Sequence, residues 1–149
     1  MTIFTLDYTL NDAERIGAAI GAVLRPGDVV ALSGDLGAGK TTLARAMLKA
    51  RGLAGEAPTP TFAIVQPYAP PEVEMPIAHV DLYRIEDADE LIELGLDDYL
   101  YDGALLIEWP ERLGDGGWPG TLTLAISGDG DARVLTASLP PAWEARWPL

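Results

Sequence analysis

Residues Gly34 to Thr41 run Gly-Asp-Leu-Gly-Ala-Gly-Lys-Thr, a full match to the phosphate-binding pattern G-x-x-x-x-G-K-[ST]. No other stretch limits the fold so strongly, because the pattern works only between the end of a buried strand and the start of a helix. Both flanks comply. Val29-Val30-Ala31-Leu32 is an unbroken apolar run, the composition of a strand covered on both faces. Beyond the loop, Leu43, Ala44, Met47 and Leu48 recur at helical spacing until Gly52 stops the pattern. Each residue type has its chemistry. Glycines let backbone N–H groups turn inward around phosphate oxygens. Lys40 is placed to reach the β- and γ-phosphates, and the Thr41 hydroxyl to ligate Mg²⁺. The helix that follows points its positive end at the anion. The chain has two lysines, Lys40 and Lys49, and one of them stands where the loop needs an ammonium.

With 149 residues, one domain spanning 1–149 is expected. No apolar run approaches a membrane span, and the first residues lack a basic-then-apolar secretory pattern. Cysteine is absent, which removes disulfides, thiol catalysis and Cys-based zinc sites and fits a cytoplasmic protein. His79 is the only histidine, so a multi-His metal site is excluded. The net charge of −13 repels a phosphate backbone and argues against autonomous nucleic-acid binding. Between Arg84 and Arg112 there is no basic residue, while carboxylates run from Glu86 to Glu111. A solvated acidic face is the simpler account of that run. The functional alternative is docking to a basic groove on a partner protein.

Along the chain, Thr2 to Leu6 has the composition of a first strand. Asn11 with Glu14 resembles a capping box ahead of a helix whose face is Ile16, Ile20, Val23 and Leu24, ended by Arg25-Pro26-Gly27. Thr61 to Tyr68 has strand composition, with Pro67 implying an edge or a strand end. Ile77 to Asp81 is a short strand, and Asp87 to Leu94 a short acidic helix closed by Gly95 with Leu91 and Leu94 inward. Ala104 to Ile107 is another buried strand. Thr121 to Ser127 and Arg133 to Leu139 alternate around Gly128-Asp129-Gly130-Asp131 as a hairpin. The tail carries Trp143 and Trp147 among prolines. These alternations predict an α/β fold: a P-loop NTPase-like three-layer sandwich with a mixed, mostly parallel sheet and a C-terminal β-hairpin.

A phosphate loop binds; hydrolysis or transfer also needs metal positioning and an oriented nucleophile. The partner acids of such a site sit at the carboxyl ends of neighbouring strands. Glu108 ends Ala104-Leu105-Leu106-Ile107 and Asp81 ends Ile77-Ala78-His79-Val80. Glu108 follows the cleaner apolar run and is the favoured metal ligand. Asp81 is then placed to organise the attacking water or the metal's outer shell. A strand-end carboxylate capping the next turn is the competing account of either. His79 is expected to be a satisfied core histidine, with a hydrogen-bonding role behind the metal site as the alternative. Trp109 packs beside the nucleotide or covers the core edge. A guanine-reading Asn-Lys-x-Asp element is absent, since the only asparagine is Asn11, so adenine is favoured. A small-molecule kinase is the alternative, against which the eight scattered arginines weigh.

Five motifs occur in order: Gly34 to Thr42, Thr59-Pro60-Thr61-Phe62, His79-Val80-Asp81-Leu82-Tyr83-Arg84, Glu93-Leu94-Gly95 through Tyr99, and Ile107-Glu108-Trp109-Pro110. Together, over about residues 10 to 113, they closely resemble the TsaE (YjeE) family of bacterial P-loop ATPases. That family serves threonylcarbamoyladenosine synthesis in tRNAs reading codons that start with A. The resemblance implies that Gly37, Ala38, Gly39 and Lys40 hold ATP phosphates and that Thr41 and Glu108 ligate Mg²⁺. It further implies that Thr42 approaches the α-phosphate, that Asp81 is needed for hydrolysis, and that Trp109 lies near the nucleotide. Pro60-Thr61-Phe62 resembles a first switch segment and Asp81 to Arg84 a second. Contacts to adenine from Thr9 to Asn11 follow by analogy. The implied partners are TsaD and TsaB, which hold the tRNA, so that this chain meets tRNA only through them and hydrolysis resets their complex. ATPase activity of the isolated chain is then weak. Two departures stand out: Thr59 replaces the usual Ser, and the hairpin turn lacks the basic residue the family often has there, Arg133 following slightly later.

Overall fold

The computed structural model describes residues 2–55, 64–114 and 117–149. Along the chain run β1 (Thr2–Thr9), α1 (Ala13–Gly21), β2 (Val29–Ser33), α2 (Lys40–Ala50), β3 (Val65–Tyr68), β4 (Ile77–Asp81), α3 (Ala88–Glu93), β5 (Ala104–Glu108), β6 (Leu122–Asp129), β7 (Ala132–Leu139) and α4 (Pro141–Glu144). The seven strands form one sheet in the order β1-β7-β6-β2-β5-β4-β3. Parallel pairing is confined to the middle, where β2 lies between β5 and β6 and β4 joins β5. Both flanks are antiparallel. The reason is connection length: β6 and β7 are joined by Gly130-Asp131 alone, which permits only a hairpin, whereas parallel neighbours need a crossover.

Side chains alternate across this sheet with period two and so feed two cores. Ile77, Ala104 and Leu106 join Val30 and Leu32 beneath α1 and α2. Ala78, Val80, Leu105 and Ile107 join Val29 on the opposite face, covered by Leu91 and Leu94 of the α3 segment and by Leu96. The predicted three layers result. Asp87 caps α3 by accepting from the Glu90 N–H at 3.2 Å, and Gly95 closes it in the left-handed conformation. Pro67 lies on β3 at the sheet edge, where a missing N–H is tolerated. The predicted strand residues 61–63 lie outside the described residues.

Two local expectations are corrected. β1 runs on past Leu6 to Thr9, because β7 offers a pairing partner to every residue from Thr2↔Leu139 to Thr9↔Ala132. The capping box ahead of α1 is formed by Thr9 and Asp12, not by Asn11 and Glu14: Asp12 accepts from the Thr9 N–H at 3.5 Å and from its hydroxyl at 3.3 Å. A short 3-10 turn at Leu10–Asp12 shifts the frame, and Glu14 instead pairs with Lys49 across α1 and α2 at 2.6 Å.

The two helices cross unusually closely. A Cβ on Gly21 would fall 2.6 Å from the Met47 Cα and carbonyl oxygen, and one on Gly17 would fall 2.6 Å from the Ala46 Cβ. Gly→Ala inside a helix ordinarily gains about 1 kcal/mol. Here backbone must move, so Gly21→Ala is expected to lose about 1–3 kcal/mol in urea unfolding, the opposite sign.

The tail is integral to the first core. Trp143 is fully buried, and Arg146 stacks over its ring at 3.8 Å. The same guanidinium makes a two-pronged pair with Asp28 at 2.6 and 2.7 Å and donates to the Val23 carbonyl at 2.7 Å. Trp147 meets Phe4 of β1 edge-on at 5.5 Å. No helix among the described residues is long and apolar enough to cross a membrane.

Candidate functional site

The site lies where β2, β4 and β5 end side by side. β2 feeds the loop at residues 34–39, and α2 begins at Lys40. Gly39 sits at φ +108°, in the left-handed region that side chains avoid. Gly34 serves a different need: a Cβ there would meet the Ile126 carbonyl oxygen of β6 at 2.6 Å. One glycine shapes the loop and the other seats it against the sheet.

Lys40 is 5% exposed. Its Nζ donates to the Gly34 carbonyl at 2.5 Å and lies 3.5 Å from the centre of the Trp109 ring. Burial pulls its pKa down, opposed by Glu108, Glu111, Asp81 and Asp35. A desolvated ammonium amid carboxylates, at the head of an eleven-residue helix, is suited to a polyanion. Trp109 is the one non-glycine residue at positive φ (+61°) among the described residues, and it precedes a proline, which disfavours helical angles further. Its ring also packs on Tyr83 at 5.0 Å. Such strain collects at functional sites.

Strand register supplies the acids. Asp81 and Glu108 are partners at the tips of the parallel strands β4 and β5. Glu108 is 3% exposed, yet well satisfied: the Thr41 hydroxyl donates to its two oxygens at 2.8 and 3.0 Å, and His79 Nε2 lies 2.6 Å from Oε2. His79 is therefore a buried core residue, as expected, and also a partner of the acid. Asp81 accepts from the Tyr83 N–H at 3.0 Å. Burial raises its pKa, the Tyr83 N–H opposes, and the Glu108 charge adds to the rise.

That shift carries a stability prediction. A carboxyl whose folded pKa is raised contributes to stability when protonated at low pH, and the contribution is lost as pH climbs through the folded value. At neutral pH the ionised Asp81 is a cost. Asp81→Asn is expected to raise the melting temperature at neutral pH, with the gain over the unsubstituted protein shrinking on acidification. A difference between the two proteins' melting temperatures that does not change across the pH series would refute the reading of Asp81 as a carboxyl that burial strains when ionised.

Thr41, Lys40, Glu108, Asp81 and Trp109 thus converge. Thr42 follows Thr41 in the first turn of α2, and its side chain borders a cleft of about 310 Å³ with Glu14, Arg45 and Lys49. Pro60-Thr61-Phe62 lies outside the described residues, and Arg84 is exposed. Arg133 was not foreseen at the loop. The hairpin folds over so that its Nε donates to the Ala38 carbonyl at 3.2 Å, with further bonds to the Gly130 and Ala132 carbonyls. It stands between a cleft of about 440 Å³ along Gly34 to Ala38 and one of about 490 Å³ bordered by Thr9 and Asp12. The expected four-residue turn, Gly128 to Asp131, narrows to Gly130-Asp131 because β6 and β7 pair on to Asp129↔Ala132, and this register sets Arg133 opposite Gly128.

The donor set fits a small hard cation beside phosphates. Magnesium takes one or two protein oxygens and completes its shell with phosphate and water, so a hydroxyl and a carboxylate suffice. Among the described residues no group of three or more acidic or His side chains is arranged to cage a metal alone.

Fold, loop and strand-tip acids define a P-loop ATPase-like α/β protein. The crystal structure of Bacillus subtilis YdiB superposes with a TM-score of 0.75 at 27% identity, covering 98% of this chain and 93% of that one. The family model for "Threonylcarbamoyl adenosine biosynthesis protein TsaE" matches residues 8–134, and the chain belongs to the TsaE family. Relatives named tRNA threonylcarbamoyladenosine biosynthesis protein TsaE include those of Bacillus subtilis, 39% identical over 66% of this chain, and Streptomyces coelicolor, 41% identical over 66%. The match spans 61% and 67% of those two relatives' own lengths.

Proposed function

We propose that this chain is a Mg²⁺-dependent ATP-binding and ATP-hydrolysing accessory protein of tRNA threonylcarbamoyladenosine synthesis. It works in the cytoplasm with TsaD and TsaB, resets their complex between turnovers, and meets tRNA only through them. One observation carries the ATPase reading: the Thr41 hydroxyl and the Glu108 carboxylate, from a helix start and a strand tip, are brought to 2.8 Å beside a buried lysine. That is the pairing a nucleotide-bound magnesium requires.

The loop N–H groups and the start of α2 would hold the phosphates, and Lys40 would turn from the Gly34 carbonyl toward them. Thr41 and Glu108 would hold Mg²⁺, which neutralises the charge that develops on the phosphates. Asp81 would orient the attacking water. Trp109 would brace Lys40. The base would lie toward Thr9 and Arg133. The net charge of −13 fits a protein that docks to proteins rather than to RNA. Against a small-molecule kinase stands the use of Arg133 and Arg146 within the fold, which leaves them no part in a phosphate-clamping lid.

The test is multiple-turnover tRNA modification by purified TsaD and TsaB, with the adenylate donor supplied and this chain added or withheld. Turnover that stalls without the chain and resumes with chain plus ATP supports the reading. Turnover indifferent to the chain refutes it.

A further inference from the structure

We propose that His79 is a positioning residue for Glu108, holding the carboxylate at the Thr41 hydroxyl so that both oxygens are preset for a divalent cation. This rests on the functional reading above and adds a role to a residue that the chemistry does not touch.

The sheet explains how the contact arises. In the β4–β5 register His79 stands opposite Leu106 and Asp81 opposite Glu108. Side chains two apart share a face. His79 is therefore the diagonal neighbour of Glu108 on the face that α2 covers, one step deeper into the sheet. Apart from Asp81, two residues along the same strand, its same-face neighbours Ile77, Ala104 and Leu106 are apolar. A fully buried imidazole among them is costly unless a strong hydrogen bond offsets its desolvation. The 2.6 Å contact to Glu108 Oε2 is that bond.

The bond also sets the tautomer. An ionised carboxylate only accepts, so Nε2 carries the proton. Nδ1 has no hydrogen-bond partner among the described residues. With the proton on Nε2, Nδ1 leaves only a lone pair unmatched instead of a buried donor. The ring is thus arranged to serve one acceptor.

Glutamate has three side-chain torsions, and ordering it costs up to about 2 kcal/mol. Thr41 on α2 and His79 on β4 pin Glu108 from two elements, so that ordering is complete before a ligand arrives. Groups behind a metal ligand act in this manner, and their loss weakens metal affinity or activity by about 10–100-fold.

The experiment compares His79→Leu, which deletes the donor, with His79→Gln, whose amide reaches the place of Nε2. Two quantities are read: the MgCl₂ concentration giving half-maximal ATP hydrolysis, and the extra thermal stabilisation that MgCl₂ adds to ADP. For His79→Leu the half-maximal MgCl₂ concentration should rise about 10–100-fold. The magnesium-dependent part of the ADP shift should shrink, and the part given by ADP alone should persist. His79→Gln should recover to within a few-fold of the unsubstituted protein. Wild-type magnesium dependence in His79→Leu, or equal impairment in Leu and Gln variants, would overturn the proposal while leaving the ATPase reading intact. A wild-type protein whose ADP shift ignores MgCl₂ would instead overturn both. If His79→Leu does not fold, His79→Asn takes its place, since its shorter amide reaches toward Nδ1. Asn and Gln variants with the same magnesium dependence would then refute the role.

Discussion

Lys40→Ala is expected to lower ATP hydrolysis by about 10²–10³-fold, the loss seen when one preorganised donor to developing charge is removed, and to weaken nucleotide binding. The fold should survive. Lys40 is held by one carbonyl and one ring face, and burial already disfavours its charge, so the nucleotide-free protein loses little when the ammonium goes. The chain supplies its own control. Lys49, the only other lysine, lies on the same helix but pairs with Glu14 in solvent. Lys49→Ala should leave hydrolysis and ADP binding unchanged. Hydrolysis assays with ADP titrations on the two variants settle the matter: a normal rate in Lys40→Ala would remove the site from this loop.

Trp143→Ala is expected to cost about 3–5 kcal/mol, comparable with losing any fully buried large aromatic. For a chain of this size that corresponds to a melting temperature lower by about 10–15 °C. Natural domains hold only about 5–15 kcal/mol, so the variant sits near the edge of stability. Two effects combine, because the ring fills the first core and also carries the Arg146 guanidinium that pairs with Asp28. The indole N–H has no partner among the described residues, so its polar atom contributes nothing that phenylalanine would lack. Trp143→Phe keeps a ring in the core but empties part of the indole's volume, so it should cost less than the alanine change, about 1–3 kcal/mol. Calorimetric melting of both variants is the check. Equal, small losses would mean that the tail is an appendage, contrary to its burial.

Much of the architecture could be read in advance because it is set by neighbours in the chain. β4 begins at Ile77 and ends at Asp81 as expected, and α3 is closed by Gly95 as expected. The β6–β7 hairpin follows from its glycines and its alternation. The loop, its strand and its helix follow from one eight-residue pattern, and with them the placement of Lys40 and Thr41. Glu108 and Asp81 were identifiable as strand-end acids, and parallel register then made them partners. The capping box misled because two frames overlap, Thr9 with Asp12 and Asn11 with Glu14, and the 3-10 turn at Leu10–Asp12 selects the first.

Periodicity, turn chemistry and the loop pattern depend on residues a few positions apart, where the chain's own geometry dictates who meets whom; the fold class, the phosphate cradle and its lysine come from there. The features it could not reveal join residues far apart in sequence: Arg133 to the Ala38 carbonyl, Arg146 to Asp28, His79 to Glu108 and the Lys40 ammonium to the Trp109 ring. Which of many arginines, acids and rings become neighbours is settled when the strands take their spatial order and the cores close, because only then does desolvation favour partners for the buried charged groups.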